Sequence, residues 1–315
     1  MLVKAGINLV KGIKELKISG VVSSDESLKE RVTLKIGGKA EVFIVPADSE
    51  DLGKIVRFTK ENGISLFVLG GGSKVLIPDE GLPGVVLSLD SPYFKKIEFC
   101  NGGVKLGSGV KVNDLLRNMQ DRRIGGWEFL AGMPASIGGM IIMNAGIRDG
   151  DSGGRYIQIG DFVEEITVMD TRGDISALKG GDIDFSYRHS GLMGYIILET
   201  KLSGALDKDK SIIASDIARF VEHRTKTQEI SFPNAGCIFK NPAGDMPSSG
   251  ALIELAGLKG KRIGGVIVSN KHANFILNIG DGKASDFLML MDLIQGKVKL
   301  MHNIWLEPEI KIIGN

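Results

Sequence analysis

The stretch ISLFVLGGGSKVLIP (residues 64–78) runs a short apolar strand straight into three glycines. Upstream, EVFIVPA (41–47) reads as a strand and SEDLGKIVRFTKEN (49–62) as a helix that turns Leu52, Ile55 and Val56 inward, with Gly63 as its stop. A strand, helix, strand unit ending in a glycine turn invites a nucleotide-binding reading, yet it fits neither standard motif. No GxGxxG opens a helix, Ser73 precedes Lys74 so there is no GK[ST] triplet, and Pro78 discourages a helix after the turn. What the run offers instead is a nest: successive backbone N–H groups laid open by glycines, with the Ser73 hydroxyl beside them, can cradle a pyrophosphate without a helix dipole. A tight structural turn uses the same residues, so the run alone leaves both readings open.

A second glycine-rich segment, EFLAGMPASIGGMIIMNAG (128–146), shifts the balance. Pro134 is placed as a first helical residue, so that a short helix presents its amino end and slim flank to a flat ligand. Close packing of a helix on a sheet also wants Gly and Ala. Two such segments favour one elongated ligand touching both, and a dinucleotide fits that description.

Glycine is the compositional outlier, at 43 of 315 residues. The chain is long enough for two or three domains. With 39 basic against 38 acidic residues, net charge +1 and no long run of either sign, nucleic acid and anionic membrane surfaces are poor partners. The amino-terminal MLVKAGINLVKGIKELKISG sets Leu9, Val10 and Ile13 at helical spacing but interrupts them with lysines and glycines, giving neither a signal-peptide core nor a spanning length. The expected location is cytoplasmic. Cys100 and Cys237 are too few for a disulfide framework; each is a buried small hydrophobe or a reactive thiol.

The rest of the chain alternates. VKLGSGV (104–110) is strand-like, VNDLLRNMQDRR (112–123) helical, and DFVEEITVMDTRGDISAL (161–178) a hairpin turning at Thr171, Arg172 and Gly173. YIILETKLSG (195–204) is an apolar strand, after which ALDKDKS is the best candidate linker. A helix over 216–227 opens a last region with PNAGCIFKNP (233–242), strands near 264–269 and 273–278, a helix over 284–301 and a strand-like WLEPEIKIIG.

Seven segments together, LKIGGKAEVFIVP, VLGGGSKVLIPDEG, EFLAGMPASIGGMIIMNAG, FSYRHS, PNAGCIFKNP, KHANFILN and WLEPEIKIIG, resemble one family in its order: the UDP-N-acetylenolpyruvoylglucosamine reductases, in their shorter, second type. The resemblance implies an α+β fold. Two subdomains of the vanillyl-alcohol-oxidase (PCMH) type, over 1–90 and 91–204, would hold FAD, the strand 303–315 would return to the first, and a substrate-binding α+β domain over 205–302 would complete the chain. It implies reduction of UDP-N-acetylglucosamine enolpyruvate by NADPH in peptidoglycan synthesis, by a monomer with no nucleic-acid or membrane partner and no metal.

By match to the family's motifs, Gly70, Gly71, Gly72, Ser73, Val75 and Leu76 line the FAD pyrophosphate. Ala131, Gly132, Pro134, Ser136, Gly139 and Asn144 flank the diphosphate and the flavin ring. No histidine occurs before His189, so the FAD is expected to be non-covalent. The implied catalytic set is Arg188 for the substrate carboxylate, Cys237 as proton donor where most of the family carries serine, and Glu309. A second departure is GGGSK for the usual GGGSN. Lys240, Asn241, His272 and Asn274 are the implied substrate contacts. An FAD-dependent oxidase or dehydrogenase of hydroxy acids or alcohols is the competing reading. Without the resemblance, Arg188 would pass for a surface cation and Glu309, on one alternating face with Glu307 and Lys311, for part of a solvated strand face.

Overall fold

The computed structural model describes residues 9–148 and 156–314; the first eight residues of the amino-terminal reading lie outside them. Among the described residues the helices, in chain order, are α1 (Leu9–Glu15), α2 (Ser49–Glu61), α3 (Val112–Arg122), α4 (Ile137–Ile142), α5 (Lys210–Thr227), α6 (Ser249–Leu255) and α7 (Ala284–His302). The chain forms two compact units. One takes the residues up to Asp25, Glu41–Gly71 and Pro83–Glu222; the other takes Glu26–Ala40, Gly72–Leu82 and the residues from His223 on.

The first unit has two cores. Around α2, Leu52, Ile55 and Val56 are buried against Val42, Ile44, Val85 and Leu87. These sit on a four-stranded sheet in the order Val21–Ser27, Lys39–Val45, Leu82–Leu87, Leu66–Val68. The Asp48 side chain starts α2 by accepting from the N–H groups of Glu50 and Asp51. The second core lies on a five-stranded antiparallel sheet in the order Ile175–Lys179, Val163–Met169, Ile196–Ser203, Gly103–Gly107, Ile97–Cys100. Alternate residues Ile166, Val168 and Leu202 point inward to meet Leu115, Met119, Trp127, Ile137 and Ile141. The hairpin read at 161–178 is the pair Val163–Met169 and Ile175–Lys179.

The second unit is an antiparallel sheet in the order Asn234–Cys237, Phe275–Asn278, Val266–Val268, Arg262–Ile263, with α7 across it. Leu34, Ile36 and Leu76, from early in the chain, complete a core with Ile238, Phe239, Phe287, Ile294 and Ile310. The short strand Val75–Leu76 pairs in parallel with Lys311–Ile312. Helix α7 has no side-chain cap from its own N-cap residue, Lys283. Asp79 supplies one instead, accepting from Ala284 N–H (2.7 Å) and Ser285 N–H (3.1 Å).

Three readings need correction. ALDKDKS is not a free linker: Leu206–Asp207 pairs with Ile124–Gly125, and Lys208 Nζ binds Glu128 (2.9 Å) and Asp216 (2.5 Å). Two carboxylates and a strand pairing hold it, and α5 starts within it. Pro134 is not a first helical residue. Helix α4 begins at Ile137 because Ser136, extended at ψ 156°, is its N-cap and accepts Gly139 N–H. The terminal WLEPEIKIIG is mostly irregular, with a strand only at Lys311–Ile312 and a bridge from Phe239 to Pro308.

Candidate active site

In the first unit the two glycine segments lie against each other. Gly71 N–H donates to Ser136 Oγ at 3.1 Å, and a Cβ on Gly71 would stand 2.8 Å from Ser136 N, so this glycine is required by the chain's own packing whatever ligand it meets. Gly70, Gly132 and Pro134 are exposed, while Ala131 and Ser136 are buried. Gly139 is different: its Cβ direction meets only Ser136 Oγ, at 3.4 Å. That unfilled flank beside exposed glycine backbone fits a flat, elongated group such as FAD. In the second unit Gly72 is tied to Thr33 N–H through its carbonyl (3.0 Å), Ser73 and Val75 are half-buried, and the Leu76 side chain belongs to the core.

Asn144 is fully buried, at φ +40°, and both ends of its amide are used within the protein. Its Nδ2 donates to Ser186 carbonyl (2.9 Å) and its Oδ1 accepts from Gly160 N–H (3.0 Å). This amide therefore braces the turn that carries Arg188. The turn is closed by the Ser186–His189 bridge with Arg188 in the left-handed region, φ +58°. Arg188 is no loose surface cation. Its Nη1 donates to Gly146 carbonyl (3.2 Å) and to the Tyr156 hydroxyl, and its guanidinium lies 5.3 Å from the Tyr187 ring centre. These contacts fix where the guanidinium lies. His189 accepts from Gly191 N–H through Nε2 (3.1 Å).

In the second unit Cys237 ends the strand Asn234–Cys237, half-buried. The Asn274 amide, 2% exposed, grips the next residue but one at both ends: Phe239 N–H donates to its Oδ1 (2.9 Å) and its Nδ2 to the Phe239 carbonyl (2.8 Å). Asn274 thus frames the cysteine segment. The terminal segment runs beside that frame, with Glu309 N–H on the Ile238 carbonyl (2.7 Å) and Lys240 N–H on the Glu307 carbonyl (2.8 Å). Glu309 is 3% exposed and its Oε1 is 2.8 Å from Lys74 Nζ. The same Nζ donates to the Cys237 carbonyl at 2.6 Å.

Glu307 and Lys311 face water, so the strict alternation expected of a strand fails here because the segment bends into the core between Leu306 and Ile310. Lys240 pairs with Glu307 (2.6 Å), and exposed Asn241 accepts Ser249 N–H (3.0 Å). His272, half-buried beside Phe275, accepts Asn274 N–H through Nδ1 (3.3 Å); burial pushes its pKa below the usual imidazole value, which keeps it neutral at pH 7. Sequence reasoning missed Lys74 and Arg224. Burial pulls the Arg224 guanidinium down from its usual range while its interaction with Cys237 pulls the other way, so a cation from α5 lies within electrostatic reach of the thiol.

Residues 40–179 match the FAD binding domain family, and 228–313 match the UDP-N-acetylenolpyruvoylglucosamine reductase C-terminal domain. The chain is 36% identical to a UDP-N-acetylenolpyruvoylglucosamine reductase of Desulforamulus reducens over 94% of this chain and 95% of that one. It is 37% identical to the reductase of Geobacter metallireducens over 95% and 96%. Among solved structures, UDP-N-acetylenolpyruvylglucosamine reductase (MurB) from Thermus caldophilus superposes with TM-score 0.76 at 29% identity, covering 94% of this chain and 99% of that one. A flavin-type domain followed by the reductase's own C-terminal domain, matched nearly end to end by reductases at this identity, places the chain in the UDP-N-acetylenolpyruvoylglucosamine reductase family.

Proposed function

We propose that this protein reduces UDP-N-acetylglucosamine enolpyruvate to UDP-N-acetylmuramate at the expense of NADPH, through non-covalently bound FAD, as a cytoplasmic enzyme of peptidoglycan synthesis. The observation that carries the reading is Glu309. A carboxylate 3% exposed, hydrogen-bonded through its backbone to the segment bearing Cys237, is costly for folding and is the kind of group an active site retains.

Reducing the enol ether requires hydride at the vinyl carbon remote from the carboxylate, stabilisation of the charge that then builds toward the carboxylate, and a proton at the adjoining carbon. The chemistry FAD supplies when bound is that hydride, drawn from NADPH. Gly70, Gly71, Gly72, Ser73, Gly132, Pro134 and Gly139 are the residues to hold it. Arg188, anchored by the Gly146 carbonyl and the Tyr156 hydroxyl, binds the substrate carboxylate through its fork and stabilises the enolate. Cys237 gives its thiol proton to the carbon next to that carboxylate. Glu309 acts as a carboxylate, accepting a hydrogen bond and orienting its neighbours. Lys240, Asn241 and His272 take the diphosphate and sugar.

The test is an anaerobic titration of the flavin-loaded protein. NADPH should bleach the flavin and UDP-N-acetylglucosamine enolpyruvate should restore it with formation of the muramate. Reduction by NADPH without reoxidation by the enolpyruvyl substrate overturns the reading in favour of another flavin dehydrogenase.

A further inference from the structure

Three segments of the second unit meet at Lys74, a residue to which the proposed chemistry gives no part. Its backbone is pinned where its carbonyl accepts Lys311 N–H (2.8 Å), beside the parallel pairing of Val75–Leu76 with Lys311–Ile312. From there the side chain passes Gly236, where a Cβ would stand 3.4 Å from Nζ. The ammonium ends 2.8 Å from Glu309 Oε1 and 2.6 Å from the Cys237 carbonyl oxygen. One cation thereby joins the backbone of one candidate catalytic residue to the side chain of another.

Two opposing forces act on Glu309. Burial drives a carboxyl toward its neutral form, and a contacting ammonium drives it back, each by up to a few pKa units. Glu309 is 3% exposed, whereas the Lys74 side chain is 24% exposed. The lysine can keep part of its hydration while the carboxylate has given up nearly all of its own, so the pair is held together chiefly by the carboxylate's need. The other charged and titratable groups around these segments are Cys237, Arg224 from α5, the Lys240–Glu307 pair and exposed Lys311.

We propose that Lys74 is a positioning residue of this site: its ammonium keeps Glu309 a carboxylate and fixes it against the segment that carries Cys237. The inference rests on the function proposed above. It deepens that reading by making Glu309 an acceptor only, which leaves Cys237 as the acid.

The experiment compares the flavin-loaded parent with Lys74→Met, Lys74→Gln and Lys74→Arg. Infrared difference spectra between pH steps follow protonation of carboxyl groups, and Glu309→Gln identifies the band that belongs to Glu309. In the parent and in Lys74→Arg this band should titrate at the same pH, whereas in Lys74→Met and Lys74→Gln it should protonate about one to three pH units higher. The acid limb of the reoxidation rate by enolpyruvyl substrate should move by the same amount in the same variants. An unmoved Glu309 band in a folded neutral variant overturns the proposal. If the parent does not turn over the substrate, the function is wrong, and the infrared comparison still decides the role of Lys74. If neither neutral variant folds while Lys74→Arg does, the need for a cation stands; if Lys74→Arg fails as well, the lysine is a packing element and the proposal falls.

Discussion

The turn around Arg188 in the first unit and the segment around Cys237 in the second each rest on one buried asparagine, but the two amides work differently. Asn144 joins two separate segments, taking Gly160 N–H and giving to the Ser186 carbonyl. Asn274 closes both bonds on a single residue, Phe239. Charge is handled differently too. Arg188 is anchored by a backbone carbonyl, a phenol and an aromatic face, whereas Glu309 is matched by Lys74 at contact distance. One region therefore offers an anchored guanidinium, and the other a preassembled ion pair beside a thiol. An anchored guanidinium suits capture of a carboxylate; a paired carboxylate suits orientation.

The largest effect that tests this contrast is expected at Cys237. Cys237→Ala should keep its flavin and accept hydride from NADPH, yet lose about two to four powers of ten in reoxidation by the enolpyruvyl substrate, the usual worth of a positioned general acid, or about 3–5 kcal/mol of barrier. Cys237→Ser should remain active. Stopped-flow reoxidation is the measurement, and a Cys237→Ala variant as fast as the parent would reduce the thiol to a packed hydrophobe.

A smaller loss, in stability, should follow Asn274→Ala, which strands the buried N–H and carbonyl of Phe239 together. At about 1–2 kcal/mol for each unsatisfied neutral group, the lower part of the usual range, urea unfolding should show a loss of about 2–4 kcal/mol. A change below about 1 kcal/mol would mean that water replaces the amide and that Asn274 is not the frame described.

The smallest concerns the borrowed cap of α7. Asp79→Ala should cost about 1 kcal/mol at pH 7, typical of a lost N-cap. Burial pushes the Asp79 carboxyl up, but the hydrogen bonds from Ala284 and Ser285 outweigh it and hold the pKa below the usual carboxylate value. Its contribution is thus complete above about pH 4 and is lost as pH falls through the lowered folded value. Urea melts of parent and variant should differ at pH 7 and draw together as pH falls below about 4; a gap unchanged at low pH would separate the effect from the ionised cap.

Much of the local structure was legible because it is written at short range. The inward face of α2, the turn at Thr171–Gly173 and the long α7 all follow from periodicity and turn residues within one window. The errors lie where a distant group decides. ALDKDKS looks like solvent-exposed linker until Glu128 is seen to take Lys208. Pro134 looks like a helix start until Ser136 is seen to cap α4. At the site, the resemblance singled out Arg188, Cys237 and Glu309, but nothing in the spacing of Lys74, Cys237 and Glu309 announces that they meet. Nor could a sequence tell Asn144 and Asn274 as braces from Asn241 as a surface amide, since all three sit among small and polar neighbours. Burial made the distinction, and burial is a property of the whole fold.

The second unit is assembled from Glu26–Ala40, Gly72–Leu82 and the residues after Glu222. A ribosome therefore makes two of its pieces long before the third. Leu34, Ile36 and Leu76 belong to a core whose other members, from Ala235 to Ile310, have yet to be translated. At about 5–20 residues per second that wait lasts on the order of 10–50 s. During it the strand Val75–Leu76 lacks its partner Lys311–Ile312. The nascent chain must carry these apolar stretches exposed or chaperoned while the first unit is already able to fold, and the pairing that seats Lys74 is among the last to form. Completion of the second unit is thus deferred by the order of synthesis itself.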